Sequence, residues 1–304
     1  MKNIIISGGT GLIGSALSDY LSSMGLEVAV LSRSKNKSYP YRVFQWSPVD
    51  QYIDPEAMEW ADAVINLAGE SLASGIWTPA KKKRLRDSRI LSTQLLVDAI
   101  SKAEHPPVKM VSASAIGYYG DGGEQVLTED SNSGSGFMAQ LCVDWEEAAA
   151  KVKDHGLSLA IVRIGIVLSG EGGFLEPLEK LSRWGVGGYF DSGQQYLPWI
   201  HMDDLVQVFY AALTSKDKEL VVNGVGPSPV TFKEMLMQIG IAMGKRPLLI
   251  PTPSFLVKPI LGDMSEMFLN SARVKSKVLM EENFKYKYSD LDKALESVVG
   301  PEVS

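Results

Sequence analysis

The sequence predicts an α/β fold: a doubly wound parallel sheet followed by a smaller C-terminal α/β lobe. Three observations lead to this prediction. An apolar run enters a glycine-rich turn at the N-terminus, strand-like runs alternate with helical periodicity as far as residue 170, and the composition changes beyond it. Alternating strands and helices are typical of a parallel sheet that is covered by helices. A chain of 304 residues is long enough for one large α/β unit or for two lobes.

The first predicted strand leads directly into a glycine-rich loop and then into a helix. The apolar residues 4–6 precede the loop, whose residues are Gly8, Gly9, Thr10, Gly11, Leu12, Ile13 and Gly14. This order is the Rossmann-type arrangement, in which amide groups at the helix start meet a pyrophosphate. We expect Gly8 to permit the turn, Gly11 to let the backbone approach the phosphates, and Gly14 to let the helix pack close to the strand. All seven residues are therefore predicted to bind a dinucleotide.

The end of the second predicted strand, 27–31, indicates which dinucleotide is bound. An NAD site usually carries a carboxylate about 20 residues after the loop, whereas this chain has Ser32, Arg33 and Ser34 there. A guanidinium binds a 2′-phosphate through charge-assisted hydrogen bonds, while a carboxylate repels it. We predict that the cofactor is NADP(H) and that these three residues bind it; a solvated loop arginine is the alternative. Two further cations follow in the loop, Lys35 and Lys37.

Composition excludes several classes of function. The formal net charge of −6 argues against a nucleic-acid partner. Cys142 is the single cysteine, which excludes an intramolecular disulfide and a cysteine-rich metal site. His201, Asp203 and Asp204 are close in sequence, but their spacing matches no familiar ligand pair, so we expect no metal. The apolar runs are too short for a signal peptide or a membrane span, and we expect a cytoplasmic protein with no membrane partner.

Further strands and helices alternate after the second strand. Strands are predicted at 61–69, 108–113 and 159–163, and helices after Pro79 and over 137–153. Proline suits the first turn of a helix because its missing N–H is not needed there. The helix after Pro79 carries a predicted apolar stripe of Leu91, Leu95, Leu96, Ala99 and Ile100.

The change of composition near residue 170 suggests where the chain divides. We predict an NADP-binding domain over 1–170 and a substrate lobe over 171–304. Within the lobe, 201–226 is expected to return to the sheet, and Thr231 is expected to cap a helix that ends near residue 242. A proline-rich stretch opens the last segment, 246–298.

Taken together, these residues resemble the extended (atypical) short-chain dehydrogenase/reductases, a group that contains nucleotide-sugar epimerases. The resemblance is carried by the glycine loop, by 66–69, by Ser114 four residues ahead of Tyr118, and by 199–204. A narrower likeness points to a subfamily labelled "epimerase family protein", whose substrate is unassigned and whose C-terminal segment, here 246–298, is distinctive. The residues that carry it are Glu70, Gln140-Leu141-Cys142, Trp145-Glu146, Arg273 and Ala294-Leu295.

The resemblance implies further cofactor contacts. It implies that Leu67, Ala68 and Gly69 border the dinucleotide and that Arg89 lies on a helix beside it. It also implies that the segment containing Val167 passes the nicotinamide. In many relatives, the helices starting near Pro79 and Phe137 pair subunits, so a homodimer is one expected assembly.

The catalytic groups that the resemblance implies are only partly present. The family uses a Ser, a Tyr and a Lys four residues after that Tyr, of which the Tyr exchanges the substrate proton. Ser114 occupies the Ser position, but Phe137 and Leu141 stand where the Tyr and Lys are expected. Neither can transfer a proton, so the usual mechanism is not available.

Three functions remain open at this point. The first is an NADP-dependent oxidoreductase or epimerase on a small, sugar-like substrate, in which Tyr118 or Tyr119 supplies the proton with support from Ser114. The second is a sensor or regulatory module that binds NADPH without turnover, and the third is a non-redox enzyme with a structural cofactor. Tyr118 and Tyr119 could equally be packing residues. Three residues of the second lobe are candidates for the substrate pocket: Gln194, Gln195 and Trp199.

Overall fold

A computed structural model describes residues 1–34, 39–255 and 262–299. Within it the chain forms two compact units that interleave along the sequence. The first unit comprises Met1–Ser114, Leu141–Val162 and Val206–Val222. The second comprises Ala115–Gln140, Arg163–Leu205 and the described residues from Asn223 onward.

The strands are short. In chain order they are β1 (Asn3–Ser7), β2 (Glu27–Ser32), β3 (Arg42–Ser47), β4 (Tyr52–Ile53), β5 (Ala63–Asn66), β6 (Lys109–Ala115), β7 (Val126–Leu127), β8 (Ser158–Ile164), β9 (Ile166–Leu168), β10 (Val186–Phe190), β11 (Tyr196–Leu197), β12 (Trp199–His201), β13 (Glu219–Gly224), β14 (Val230–Thr231), β15 (Leu248–Thr252) and β16 (Arg273–Val274). Of these, β1, β2, β5, β6 and β8 lie where the sequence predicts strands.

Helices separate most of the strands of the sheet. They are α1 (Leu12–Ser23), α2 (Glu56–Trp60), α3 (Pro79–Lys102), α4 (Phe137–Ala150), α5 (Leu175–Arg183), α6 (Met202–Thr214), α7 (Phe232–Ala242), α8 (Glu266–Leu269), α9 (Lys277–Glu281) and α10 (Leu291–Val298). Short 3-10 turns occur at Ile116–Tyr119, Lys151–His155 and Gly262–Ser265.

An eight-stranded sheet is built largely from the first unit, in the order β13-β8-β6-β5-β1-β2-β3-β4. The chain winds outward from β1 in both directions, which confirms the predicted doubly wound fold. β1 runs parallel to β2 and β5, and Ile5 stands between Ala29 and Val64 in this register. These side chains belong to one buried apolar cluster. β13, from the segment expected to return, lies at the edge beside β8.

Four two-stranded sheets organise the second unit, pairing β10 with β15, β11 with β14, β12 with β9, and β16 with β7. Its main apolar core joins Trp199 and Leu168 to the buried face of α7 and to α10. The use of 171–304 as a substrate lobe stays a prediction.

Two helix starts follow from local chemistry. Thr78 precedes α3 and its side chain accepts a hydrogen bond from the Lys81 amide, with Pro79 in the first turn. Thr231 caps α7 in a reciprocal pair with Glu234. Both predicted helix starts are confirmed. The predicted stripe on α3 is wrong at Leu91, which is 39% exposed. No helix in the described part of the chain is long and apolar enough to cross a membrane.

Candidate functional site

A cavity of about 690 Å³ lies at the carboxyl ends of β1, β2 and β5 in the first unit. This volume is within the range of small-molecule and cofactor sites. Three short segments predicted to bind the cofactor contribute to its wall. They are Gly8, Thr10 and Gly11 in the glycine loop, Ser32, Arg33 and Ser34 after β2, and Leu67, Ala68 and Gly69 after β5.

The glycine loop leaves no room for side chains on its inner side. Gly8 has a φ of +72°, and a Cβ there would lie 2.8 Å from the Leu67 carbonyl oxygen. A Cβ on Gly14 would lie 2.3 Å from the Gly8 carbonyl oxygen. Helix α1 starts after Gly11 without a side-chain cap. The first-turn amides, those of Leu12 and Ile13 among them, are therefore not capped by a side chain, and such groups suit a phosphate.

The end of β2 presents a cation to the cavity. Arg33 is exposed, while Ser32 beside it is buried. The Ser34 amide donates a hydrogen bond of 3.3 Å to the Ser32 hydroxyl, which holds the start of this loop. An exposed guanidinium on a cavity wall is suited to a bound phosphate group. The other predicted cations of this loop, Lys35 and Lys37, lie outside the described residues.

Polar side chains tie the ends of β1 and β5 to the middle of β6 and to α3. The Ser7 hydroxyl donates to the Asn66 amide oxygen at 2.7 Å. The Asn66 amide nitrogen donates to the hydroxyls of Thr93 at 2.8 Å and Ser112 at 3.2 Å. All four side chains are at most 1% exposed. This network fixes β1, β5 and β6 to one another and to α3.

Arg89 supports the turn after β5 and is absent from the described residues that line the cavity. Its guanidinium donates to the carbonyl oxygens of Glu70 and Leu85, each at 3.1 Å. A Cβ on Gly69 would lie 3.0 Å from the Arg89 Cζ atom. Burial lowers the pKa of Arg89 below its ordinary value. Direct contact between Arg89 and a cofactor stays a prediction.

A buried lysine holds the loop between β5 and α3. The Lys81 side chain is buried, and its ammonium donates to a Glu70 carboxylate oxygen at 2.6 Å and to the Ser74 hydroxyl at 2.7 Å. The hydrogen bond from Lys81 holds the pKa of Glu70 below its ordinary value. Because Glu70 also lines the cavity, this pair fixes part of its wall.

Ser114, predicted from the resemblance, lies at the end of β6 and is 1% exposed. Its hydroxyl donates a hydrogen bond of 2.6 Å to Oε1 of Glu146 on α4. In the sequence, Glu146 stands out only as part of the subfamily motif Trp145-Glu146, which predicts no role for it. The pair is separated by 32 residues, and only the strand-end position of Ser114 and the Trp-Glu motif could have suggested it.

Two tyrosines in the second unit share one arginine. The guanidinium of Arg163, 4% exposed, donates to the Tyr119 hydroxyl at 3.0 Å and lies 3.5 Å from the Tyr118 ring centroid. Tyr119 donates in turn to the Asn223 side-chain oxygen at 2.7 Å. Burial raises the pKa of Tyr119 more than Arg163 lowers it, so Tyr119 retains its proton. The role of Tyr118 as a proton donor stays a prediction.

The predicted substrate residues have different surroundings. Trp199 is 1% exposed in the core, and its indole N–H donates to the Ser228 carbonyl oxygen at 2.9 Å. The Gln195 amide nitrogen donates to the Phe190 carbonyl oxygen at 3.0 Å, while its buried side-chain oxygen has no hydrogen-bond partner among the described residues. This geometry favours packing for Trp199 and leaves an acceptor on Gln195. Both substrate roles stay predictions.

Val167 and Asp204, both singled out in the sequence, are paired with other backbone groups of the protein. Val167 pairs with Ile200 between β9 and β12, and its contact with a nicotinamide stays a prediction. The Asp204 carboxylate accepts hydrogen bonds from the amides of Lys287 and Tyr288, at 2.6 and 3.0 Å. In the described residues, no group of three His, Cys, Asp or Glu side chains is placed to hold a metal ion.

Two family models match the chain. One is described as the NAD dependent epimerase/dehydratase family and matches residues 4–223; the other, a domain of unknown function (DUF1731), matches 252–298. The Arabidopsis thaliana protein called "Epimerase family protein SDR39U1 homolog, chloroplastic" is 36% identical over 304 residues, 97% of this chain and 86% of its own length. Human SDR39U1 is 34% identical over 300 residues, 97% of this chain and 99% of its own length.

Solved structures give the same result. The crystal structure of human epimerase family protein SDR39U1 (isoform2) with NADPH matches with a TM-score of 0.87 and 32% identity, over 98% of this chain and 99% of that one. UDP-N-acetylglucosamine 4-epimerase from Bacillus cereus matches over 98% of this chain and 95% of its own, with a TM-score of 0.76. At 19% identity that likeness concerns the fold alone. The predicted family resemblance is confirmed: the chain belongs to the NAD dependent epimerase/dehydratase family.

Proposed function

We propose that this protein binds NADP(H) in the first-unit cavity and is an oxidoreductase or epimerase acting at a hydroxyl or carbonyl carbon of a small, sugar-like substrate. The observation that carries the cofactor assignment is Arg33 on the cavity wall, in the place where an NAD site usually has a carboxylate. The human relative crystallised with NADPH supports the same assignment.

The residues present fit this cofactor. The inner side of the glycine loop is a cradle that a Cβ at Gly8 or Gly14 would fill, so backbone amides can approach a pyrophosphate closely. Arg33 and Ser34 would hold a 2′-phosphate. When bound, the nicotinamide supplies or accepts a hydride. The protein's own part is to bind the dinucleotide, orient the substrate and move a proton.

Replacing Arg33 tests the assignment directly. For Arg33→Ala we expect the Kd for NADPH to rise about 10- to 100-fold, because a charge-assisted hydrogen bond is lost. The Kd for NADH should change less than about threefold, since NADH has no 2′-phosphate. Both values can be measured from nicotinamide fluorescence. Lys102→Ala, which removes an exposed charge at the end of α3, is the matched control. Equal losses for the two cofactors would contradict the assignment.

A second function, NADP(H) binding without turnover, is favoured by one specific observation. Phe137 and Leu141 occupy the positions of the family's Tyr and Lys, and Leu141 is 3% exposed. A sensor of this kind would bind NADPH with the same dependence on Arg33 but would transfer no hydride. The cytoplasmic location and the homodimer stay predictions from the sequence.

A further inference from the structure

Ser114 and Glu146 form a hydroxyl–carboxylate pair at the end of a central strand, next after the strand that ends in the cavity wall. We propose that this pair is the proton relay of the reaction, replacing the missing Tyr and Lys. Ser114 contacts the substrate, and Glu146 takes up and returns the proton through the Ser114 hydroxyl. The proposal rests on the oxidoreductase form of the proposed function, with net hydride transfer, and it favours an enzyme over a sensor.

The direction of the hydrogen bond suits a base. The Ser114 hydroxyl donates to Glu146 Oε1 at 2.6 Å, a length typical of a charge-assisted bond to a carboxylate. With its proton held by Glu146, the Ser114 oxygen can only accept from a further group. A substrate hydroxyl is such a group. If Glu146 becomes protonated, the same bond reverses, and Ser114 can donate to a substrate carbonyl oxygen.

The other buried hydroxyls nearby are arranged differently. They bond to an amide side chain, which neither gains nor loses a proton under ordinary conditions. They belong to a network centred on Asn66 that has the residues Ser7, Thr93 and Ser112. Ser114 differs from all three because its partner can titrate. A serine that only needed a structural partner could have used an amide in the same way.

Helix α4 carries Glu146 to this position through its neighbouring residue. The Trp145 indole N–H donates to the Thr93 hydroxyl at 3.1 Å, and Trp145 is 6% exposed. The Arg89 guanidinium lies 5.2 Å from the Trp145 ring centroid. These contacts fix the rotation of α4 against α3. Glu147, the next residue, is exposed and provides a matched control.

Atoms and electrons balance when the relay serves the oxidation of an alcohol. The substrate O–H bond breaks and its proton passes to Ser114 Oγ, while the Ser114 proton passes to Glu146 Oε1. The substrate C–H bond breaks, and its electron pair leaves as a hydride as the C=O bond forms. The hydride acceptor is NADP⁺, which the proposed function supplies. Reduction by NADPH is the reverse, with Glu146 returning its proton through Ser114 to the carbonyl oxygen.

The experiment compares Glu146→Gln, Ser114→Ala and the control Glu147→Gln with the wild type. Cofactor binding is measured by NADPH fluorescence. Turnover is followed by mass spectrometry as deuterium transfer from NADPH, deuterated at the transferred position, into a small-molecule extract. Protonation is measured without substrate, by infrared titration of the carbonyl stretch of protonated carboxyl groups.

We expect all variants to bind NADPH within about threefold of wild type. Deuterium transfer should fall by about 100-fold or more in Glu146→Gln and Ser114→Ala and should persist in Glu147→Gln. In the infrared titration, Glu146→Gln should remove one carboxyl band, and Ser114→Ala should shift the frequency of that band because its hydrogen bond is lost. A purely structural hydrogen bond would not make transfer depend on a group that titrates.

The outcomes separate the relay from the proposed function. Failure of the wild type to bind NADPH overturns the proposed function. Binding of NADPH by the wild type with no deuterium transfer to any metabolite overturns the relay and leaves cofactor binding in place. Full transfer by Glu146→Gln, or a carboxyl band whose frequency does not change in Ser114→Ala, also overturns the relay.

Discussion

The polar groups at the cavity of the first unit and those around Arg163 in the second unit have different surroundings. In the first unit the glycine-loop amides and the Arg33 side chain face a cavity. In the second, Arg163, Tyr119 and Asn223 form a chain of hydrogen bonds with one another. A polar group that faces a cavity can serve a ligand, whereas one whose hydrogen-bonding capacity is taken up by protein partners serves the fold. Substitutions at the cavity of the first unit should therefore change cofactor affinity, and those among the enclosed polar groups of the second unit should change stability.

The largest effect on stability is expected for Glu129→Ala in the second unit. The Glu129 carboxylate accepts hydrogen bonds from the Asn223 amide at 2.8 Å, the Ser276 hydroxyl at 2.6 Å and the Lys277 amide at 2.8 Å. Removing it leaves two backbone N–H groups without their acceptor, so the free energy of unfolding should fall by about 3 kcal/mol. Urea denaturation measures this change, with the exposed Glu124→Ala as control. A large loss of NADPH affinity in folded Glu129→Ala would break the comparison.

A smaller effect, on cofactor affinity and not on stability, is expected for Gly14→Ala in the first unit. The new Cβ would lie 2.3 Å from the Gly8 carbonyl oxygen, so the loop must move. With a strain of about 1–3 kcal/mol, the Kd for NADPH should rise about 10- to 100-fold. Fluorescence titration measures it. The control is Gly188→Ala, where no atom lies within 4 Å of the added Cβ. Unchanged affinity in Gly14→Ala would show that loop packing does not shape the cofactor site.

Features that depend on residues close together in the chain could be predicted from the sequence. The glycine loop, the start of α3 at Pro79 and the cap at Thr231 depend on residues close together in the chain, and each could be placed from local chemistry. The position of Arg33 follows from its distance after the loop. These features account for the fold and for most of the predicted cofactor residues.

Partners that are distant in sequence could not be predicted. Glu146 meets Ser114 only because Trp145 fixes the rotation of α4, and no periodicity encodes that angle. Lys81 lies in a basic run that is typical of an exposed helix face, yet it is 3% exposed because Glu70 and Ser74 turn back to meet it. The partners of Tyr119, which are Arg163 and Asn223, are equally distant in sequence and could not be predicted.

The surroundings of His201 in the second unit make the stability of the protein depend on pH. Its Nδ1 atom accepts a hydrogen bond of 3.0 Å from the Asp203 amide, and its Nε2 atom lies 3.1 Å from the Ser297 hydroxyl. The ring also lies 3.9 Å from the Tyr288 ring, centroid to centroid. Burial lowers the pKa of His201; the charge of Asp203 opposes this effect and that of Lys287 adds to it. A proton on Nδ1 would face an N–H group, so the folded protein favours neutral His201.

The smallest predicted effect is therefore a loss of stability in mild acid. Because the folded pKa of His201 is lowered, its contribution is complete above the ordinary value of 6.5 and is lost as the pH falls below it. The slope is at most about 1.4 kcal/mol per pH unit. Urea denaturation at about pH 7.5 and about pH 5.5 should show this loss in wild type and in the control His155→Gln, but not in His201→Gln. Burial raises the pKa of Asp204, so its effect on stability has the opposite sign, but it is present in all three proteins and cancels in the difference.

Since His201 lies in the second unit, the Kd for NADPH should respond equally to pH in wild type and His201→Gln. An unequal response would show that this cluster acts on the cofactor site as well as on the fold.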